Sequence, residues 1–165
     1  MNAHPSGIPP YRAKLQSDWI DYNGHLRDAY YGLVLSYAID DLMDHLGLDS
    51  GYRATTHCTL FTLELHMRFL HEVRESDDLD VATTLLGADR KRIHAGCLFT
   101  CSRLSDAVAT GEVMLLHVHQ GEKPVSAPFP PAIDQRLQSL TAAGGAGAAW
   151  GSGSRKIELH RRAGP

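Results

Sequence analysis

Residues 21–31 combine side chains that could hydrolyse an acyl group with a position directly before a predicted helix. The segment reads Asp-Tyr-Asn-Gly-His-Leu-Arg-Asp-Ala-Tyr-Tyr. A carboxylate in this place can attack a carbonyl carbon or activate a water molecule. The unpaired N–H groups and the partial positive charge of a helix N-terminus can stabilise the oxyanion that forms. The simpler interpretation is that Asp21 or Asp28 only caps the helix, which is the common use of Asp at such a position.

One long helix is predicted to hold this segment in place. Between about residues 27 and 45, apolar side chains recur at helical spacing, and Gly47 follows as a stop signal. The spaced positions are Tyr30, Leu33, Val34, Tyr37, Ala38 and Leu42. Before the helix, residues 11–18 are predicted to form a first strand, and Asn23-Gly24 marks a turn. The helix is apolar enough that we expect it to be largely buried.

Four extended segments follow the helix and predict an antiparallel sheet. They span about residues 57–71, 78–88, 92–103 and 107–119, after a predicted loop at 49–56. In the first segment, apolar residues at positions 63, 65, 67 and 69 alternate with polar ones, as in a sheet with one apolar face. Short polar connectors favour antiparallel neighbours. The predicted fold class is therefore α+β, with a long central helix wrapped by a curved antiparallel sheet of five strands.

The bulk properties indicate one globular domain. The chain has 165 residues and a formal net charge of -3 without a basic excess, so nucleic acid is not an expected partner. The domain is predicted at residues 11–140, with an N-terminal extension at 1–10, a short helix at 132–142 and a flexible Gly/Ala-rich tail at 141–165. No apolar run reaches the length of a signal peptide or a membrane span, which predicts a cytoplasmic protein without membrane contact. The three cysteines are odd in number, which fits reduced, packed thiols.

The segment at residues 21–31 resembles the D-x-x-G-H-V-N-N-x-x-Y signature of the 4-hydroxybenzoyl-CoA thioesterase family of hotdog enzymes. Asp21, Gly24, His25 and Tyr31 stand where the signature requires them. The resemblance implies a hotdog fold and hydrolysis of acyl-CoA thioesters without a metal or other cofactor. It also implies that Asp21 is the nucleophile or general base, while Gly24 permits the turn and His25 shapes the loop.

The chain departs from this signature at the two positions where the family has Asn, which are Arg27 and Asp28. Backbone N–H groups near these two residues are the candidate oxyanion donors. The additional carboxylate of Asp28 would suit a cationic acyl group, through charge pairing and through cation–π contact with nearby aromatic rings. The candidate residues around such a group are Trp19, Tyr22, Asn23, Arg27, Tyr30 and Tyr31. The alternative is that the aromatic residues belong to the core.

Longer stretches resemble one branch of this family, the betainyl-CoA thioesterases of bacterial carnitine catabolism. The resemblance covers about residues 11–135 and includes the stretches WIDYNGHLRDAYYGLVLSYAIDDLMDHLGLD, LFTLELHMRFLHEV, LLGADRKRIH, MLLHV and APFPP. It implies that the acyl group is trimethylammonium-acetyl and that the products are glycine betaine and CoA. Another short or aromatic acyl-CoA is the nearest alternative substrate.

Residues outside the loop supply further candidates. Basic side chains at a predicted strand turn could neutralise CoA phosphates, or could simply form a solvated turn; they are Arg90, Lys91 and Arg92. Glu64 could orient water or meet the ammonium group, although a surface or interface role is the preferred interpretation. His117 and His119 share one face of a strand, but no third ligand falls at a zinc-like spacing, so no metal site is predicted.

The predicted architecture also bears on assembly. A sheet that covers one helix leaves its edge to be covered, so we expect a homodimer formed by edge pairing, or a homotetramer of two such dimers. A non-catalytic module that binds acyl-CoA or a quaternary amine is a second class of function, because scaffolds can lose chemistry and keep a pocket. A dehydratase would place its acidic residue on the central helix, whereas here the acidic motif precedes the helix.

Overall fold

The computed structural model describes residues 7–143 as six strands and three α-helices. The strands are β1 (Tyr11–Ala13), β2 (Cys58–Phe69), β3 (Leu79–Ala88), β4 (Arg92–Cys101), β5 (Ala109–His119) and β6 (Val125–Ser126). The α-helices are α1 (Asp28–Leu46), α2 (Ser50–Thr56) and α3 (Pro131–Ala143). A short 3-10 helix, Ser17–Trp19, lies between β1 and α1.

The strands form one antiparallel sheet in the order β1-β3-β4-β5-β2, and the two-residue β6 extends it by pairing with β5. Each long strand is joined to its sequence neighbour by a short turn, except that β2 crosses to the far side of β5. The two edges therefore differ. One edge is the three-residue β1, and the other is the twelve-residue β2.

Helix α1 packs on one face of this sheet. Its buried residues are Tyr31, Val34, Leu35, Ala38, Ile39, Leu42, Met43 and Leu46. The Leu35 side chain of the helix packs directly on Gly111 of β5, where a Cβ atom would collide with it and lie 2.9 Å from the Met67 Sδ. The helix ends at Gly47, whose φ of 85° is the left-handed conformation typical of a glycine stop. The predicted helix and its stop signal are confirmed.

The predicted order of elements is confirmed, with three differences in the elements themselves. The predicted sheet of five strands gains a sixth, the two-residue β6. Residues 50–56, which we predicted as a loop, form α2, and the Asp49 side chain caps this helix by accepting a hydrogen bond from the Tyr52 N–H at 2.8 Å. Helix α2 buries none of its residues completely, so it has no apolar periodicity that a sequence could reveal. The first strand ends at Ala13 rather than near residue 18, because the chain turns into the 3-10 helix.

At the C-terminal end, α3 covers the predicted helix at 132–142 and buries Ile133 and Leu137. Because α3 continues to Ala143, it extends three residues past the predicted domain boundary at 140. The remainder of the predicted tail, and most of the predicted N-terminal extension, lie outside the described residues. Among the helices of residues 7–143, none is both long and apolar enough to cross a membrane.

The apolar face of β2 is largely uncovered in a single chain. Leu63, Leu65 and Phe69 keep 55%, 42% and 53% of their surface exposed, and Phe61 keeps 37%. The alternation predicted for this strand is interrupted by an irregularity between Thr62 and Glu64, where the pairing with β5 shifts. The structure thus leaves an exposed apolar surface on its longest edge strand, which is unusual for a single chain.

Candidate active site

The loop before α1 is closed by its own backbone. The Asp21 N–H donates to the His25 carbonyl at 2.8 Å, and the Gly24 N–H donates to the Asp21 carbonyl at 3.0 Å. Gly24 has a φ of 81°, a conformation that disfavours residues with a Cβ. A bridge between Ile20 and Leu26 closes the base of the loop. The loop is therefore a compact turn, and Gly24 has the turn conformation that the motif predicted.

The Asp21 carboxylate lies inside this turn. Its Oδ1 accepts hydrogen bonds from the Asn23 N–H at 2.8 Å and from the His25 N–H at 3.0 Å. These donors, with the His25 N–H contributing most, lower the pKa of Asp21 below its ordinary value of 3.8. The carboxylate is consequently ionised at neutral pH, which both a nucleophile and a general base require.

The start of α1 offers one backbone donor for an oxyanion. The Arg27 N–H is already bound to the Trp19 carbonyl at 3.1 Å. Asp28 is the first residue of α1, and its side chain accepts from the neighbouring Ala29 N–H at 2.8 Å; the N-cap position is Arg27, which makes no side-chain capping hydrogen bond. Within residues 7–143, the Asp28 N–H has no hydrogen-bond partner. Of the two predicted donors, the structure therefore leaves the Asp28 N–H available.

A cleft of about 330 Å³ opens beside this helix start, between α1 and the segment that follows β2. Its lining residues are His25, Leu26, Asp28, Tyr31, Phe69, Leu70, His71 and Glu72. Asp21 is not among the lining residues, but its carboxylate is joined to the lining residue His25 by the hydrogen bond from the His25 N–H. The motif analysis did not predict the contribution of Phe69–Glu72. No sequence signal marks it, because only the crossover of β2 brings the end of that strand to the start of α1.

Tyr31 lies at the back of the cleft, where it is 3% exposed and meets the Phe69 ring edge-on with the ring centroids 5.2 Å apart. Burial, with smaller contributions from the nearby Asp77 and Glu72 carboxylates, raises the pKa of Tyr31 to about 12. The phenol is therefore neutral at neutral pH.

The other predicted aromatic contacts are not in this cleft. Trp19 is buried and stacks on Tyr30, with the ring centroids 5.1 Å apart and the planes at 13°. Tyr22 is 95% exposed, and the neighbouring Asn23 is also exposed. The exposed Arg27 side chain reaches back to the Ile20 carbonyl at 3.4 Å. Of the predicted acyl-binding residues, the structure brings Tyr31 and Asp28 together and leaves the others outside the cleft lining.

A second segment, residues 71–77, holds the loop before α1 in place. The Leu26 N–H donates to the carbonyl of the fully buried Val73 at 2.8 Å, and His25 forms a bridge with Arg74. The segment is closed by Asp77, which accepts from the Arg74 N–H at 2.9 Å and forms an ion pair with Arg103 at 3.2 Å. Burial by itself raises the pKa of Asp77, but these two partners outweigh it, so the pKa lies below the ordinary value.

The predicted CoA-binding turn contains two unmatched cations rather than three. Arg92 makes a two-pronged ion pair with Asp89, at 2.8 Å and 2.6 Å, which lowers the pKa of Asp89 to about 2. Lys91 donates to the Ser126 hydroxyl at 3.1 Å. Arg90 and Lys91 line a cavity of about 450 Å³ together with Asp89, Ser126 and Pro128.

The remaining predicted residues stand apart from the cleft. Glu64 is exposed on β2 opposite Met114 of β5. His117 is 1% exposed and is held by the Tyr52 hydroxyl and the Ala127 carbonyl, both at 2.9 Å. In the part of the chain that the structure describes, no three His, Cys, Asp or Glu residues are grouped in a way that could hold a metal ion.

The sequence profile of the thioesterase-like superfamily matches residues 15–137. The chain belongs to this superfamily. The match spans the loop, α1, strands β2 to β6 and the start of α3, so it includes every part of the candidate site described above. The helix wrapped by an antiparallel sheet is therefore a hotdog fold, as the motif implied.

Several bacterial proteins with assigned activities are similar to this thioesterase-like chain. A betainyl-CoA thioesterase from Pseudomonas aeruginosa is 48% identical over 136 residues, which are 82% of this chain and 85% of that protein. An L-carnitine dehydrogenase/betainyl-CoA thioesterase from Agrobacterium fabrum is 42% identical over 134 residues. The match covers 80% of this chain but 27% of that fused protein.

Solved structures share the fold along nearly the whole chain. A candidate thioesterase from Pseudomonas putida KT2440 superposes with a TM-score of 0.76 at 41% identity, covering 94% of this chain and all of that one. A Staphylococcus aureus protein solved in complex with CoA superposes with a TM-score of 0.81 at 25% identity, covering 92% of this chain and 94% of that one.

Proposed function

We propose that this protein is an acyl-CoA thioesterase that hydrolyses betainyl-CoA to glycine betaine and CoA. The observation that carries the proposal is the 48% identity to a betainyl-CoA thioesterase across 82% of this chain and 85% of that protein. The geometry of the site supports it, because the free N–H of Asp28 belongs to a residue that lines a cleft of small-molecule size, and the ionised Asp21 carboxylate accepts a hydrogen bond from the backbone of His25, another lining residue.

In the proposed reaction, Asp21 acts on the thioester carbonyl. Its carboxylate either attacks the carbonyl carbon, forming an acyl anhydride that water then hydrolyses, or removes a proton from a water that attacks. In both routes the carbonyl oxygen gains negative charge, and the Asp28 N–H at the positive end of α1 is the donor placed to stabilise it. In both routes the oxyanion collapses, the C–S bond breaks and CoA leaves as a thiolate, which needs little acid assistance because a thiol has a pKa of about 8.5. In the first route, the acyl anhydride forms at this step and water hydrolyses it afterwards.

The CoA moiety requires fixed positive charge for its phosphates. We assign this role to Arg90 and Lys91, which line the cavity of about 450 Å³ and have no carboxylate partner in the described structure. Arg92 is assigned a structural role, because Asp89 already matches its charge. The complex of the S. aureus relative with CoA supports a CoA-binding function for this fold.

We also propose that the working form is a homodimer joined along β2. The strand is twelve residues long, has an unpaired edge and carries exposed apolar side chains at Phe61, Leu63 and Leu65, outside the cleft lining. A second copy would satisfy the backbone groups of the edge and cover these side chains together. Pairing of two such dimers would give the tetramer that is the alternative assembly.

The cytoplasm is the proposed location. Cys58, Cys97 and Cys101 are free and buried, and three free thiols suit a reducing compartment.

Release of CoA thiol tests the proposed reaction. Betainyl-CoA, acetyl-CoA and benzoyl-CoA are compared as substrates for the wild-type protein and for Asp21→Asn. We expect betainyl-CoA to be preferred and its hydrolysis to be lost in the variant. Preference for acetyl-CoA or benzoyl-CoA would contradict the substrate assignment alone, whereas full activity in Asp21→Asn would contradict the role of Asp21.

A further inference from the structure

We infer that Glu72, together with Asp28, binds the quaternary ammonium group of the acyl moiety and so determines the substrate specificity of this enzyme. The inference rests on the proposed thioesterase function and names the part of the cleft that selects the acyl group. Glu72 lies outside the motif at the helix start and enters the site only through the path of the chain after β2.

The backbone of Glu72 is fixed on both sides, although its side chain is open to the cleft. Its carbonyl oxygen accepts from the Arg103 Nη2 at 2.8 Å. The next residue, Val73, is completely buried and holds the Leu26 N–H at 2.8 Å. The backbone from which the Glu72 side chain extends is therefore fixed before the ligand arrives, so only the side chain has to be ordered on binding, which lowers its cost.

The charge of the cleft suits a cation. Asp28 and Glu72 are the two carboxylates among its lining residues, and neither a lysine nor an arginine belongs to that lining in the described structure. Arg103, the cation close to Glu72, is already paired with Asp77. Two further lining residues can carry a positive charge when protonated, His25 and His71.

The aromatic rings of the cleft add to this preference. The Tyr31 and Phe69 rings meet edge to face, so the edge of one ring packs against the electron-rich face of the other. Burial keeps Tyr31 neutral, with a pKa of about 12, and the Glu72 carboxylate is close enough to contribute to that shift. The Phe69 ring, which lines the cleft and keeps 53% of its surface exposed, can contact a methylated ammonium through cation–π attraction.

The chemistry of the ligand explains why these groups suffice. A trimethylammonium group has no N–H to donate, so hydrogen-bond acceptors cannot recognise it by direction. It is recognised by negative charge at a few ångströms and by aromatic surface, both of which this cleft provides. A cleft of about 330 Å³ also lies at the small end of ligand sites, which fits a short acyl group better than a long chain.

The test compares Glu72→Gln with wild type on two thioesters of the same shape. Betainyl-CoA carries the cation, and 3,3-dimethylbutanoyl-CoA replaces its ammonium nitrogen by carbon. In Glu72→Gln we expect kcat/KM for betainyl-CoA to fall about tenfold, mainly through KM, as one carboxylate–cation contact is lost. The value for the neutral thioester should stay the same or rise.

Glu75→Gln is the matched control, because Glu75 is an exposed carboxylate of the same segment that does not line the cleft. Equal effects of Glu72→Gln on both thioesters, or no effect on either, would overturn the inference while leaving the proposed thioesterase function intact. A wild-type enzyme that hydrolyses the neutral thioester and not betainyl-CoA would overturn the ammonium site and the substrate assignment together. A tenfold loss confined to betainyl-CoA supports both.

Discussion

Asp21 serves the structure of the loop as well as the proposed reaction, and two substitutions can separate these roles. Asn at this position keeps an oxygen that accepts from the Asn23 and His25 N–H groups, whereas Ala removes it. We expect both variants to lose activity by about 10²-fold or more. We expect the melting temperature to fall only in Asp21→Ala. Thermal unfolding followed by circular dichroism measures this, and an equal loss of stability in both variants would contradict the assigned hydrogen bonds.

The low pKa of Asp21 predicts where activity declines in acid. A base acts in its ionised form, and the His25 N–H holds the pKa of Asp21 below 3.8. The acid limb of kcat/KM should therefore reach its half-maximum below pH 3.8, so activity at pH 5 should be close to that at neutral pH unless another group titrates. The profile is measured in the range where the far-ultraviolet circular dichroism is unchanged. A half-maximum at pH 6 would indicate that a different group, such as a histidine, controls the reaction.

The sequence predicted the turn before α1 but not the full cleft beside it. Asp21, Gly24 and His25 are close together in the sequence, so a short sequence motif can reveal their arrangement. Glu72 and Phe69 reach the helix start only because β2 pairs on the far side of β5 and delivers its end to α1. Such a long-range juxtaposition leaves no mark in the spacing of residues.

The elements around the loop depend on the ion pair between Asp77 and Arg103. Asp77 is 7% exposed, and its segment supplies the Val73 carbonyl that holds Leu26. We expect Asp77→Asn to lower the melting temperature by about 5 °C, because it leaves the Arg103 charge without its partner. The pKa of Asp77 is depressed, so this contribution is complete above its ordinary pKa and is lost as the pH falls through the lower, folded value.

The matched control for this ion pair is Asp80→Asn. Asp80 also pairs with an arginine, Arg12, at 2.9 Å, but the Arg12 side chain is 76% exposed. An exposed pair contributes little, so we expect this variant to melt within about 1 °C of wild type. The Asp77→Asn protein should also have a lower kcat, because the segment that holds the loop before α1 is less stable. Equal melting temperatures for both variants would contradict the importance of the buried pair.

Sequence patterns predicted the elements that bury an apolar face and missed the one that does not. Helix α1 and the four long strands carry apolar periodicity because one side of each faces the core. Helix α2 buries none of its residues completely, so only the Asp49 cap could have indicated it.

For the molecule as a whole, the uncovered face of β2 predicts self-association. Leu65→Glu places a charge among exposed apolar side chains, and we expect it to convert the dimer to a monomer in sedimentation equilibrium. Val125→Glu is the control, since Val125 is 57% exposed but lies on β6, on the other side of β5. A monomeric wild-type protein, or a dimer that survives Leu65→Glu, would contradict assembly through this face.

The match to fused relatives shows that this fold also occurs as one part of a longer chain. The chain spans 27% of the Agrobacterium fabrum protein and 85% of the Pseudomonas aeruginosa one.

The alternation of apolar and polar residues in β2 could be predicted from the sequence, but the exposure of its apolar side chains could not. A single sequence does not show which apolar face remains without a neighbour.

The stack of Trp19 on Tyr30 gives the catalytic loop an optical reporter. Trp19 is buried, its carbonyl holds the Arg27 N–H, and its ring lies on the first turn of α1. The chain has one other tryptophan, Trp150, so Trp150→Phe leaves an emission spectrum that belongs to Trp19 alone. Opening or tightening of the loop around a thioester would then be visible as a change in fluorescence, in real time and without an attached dye.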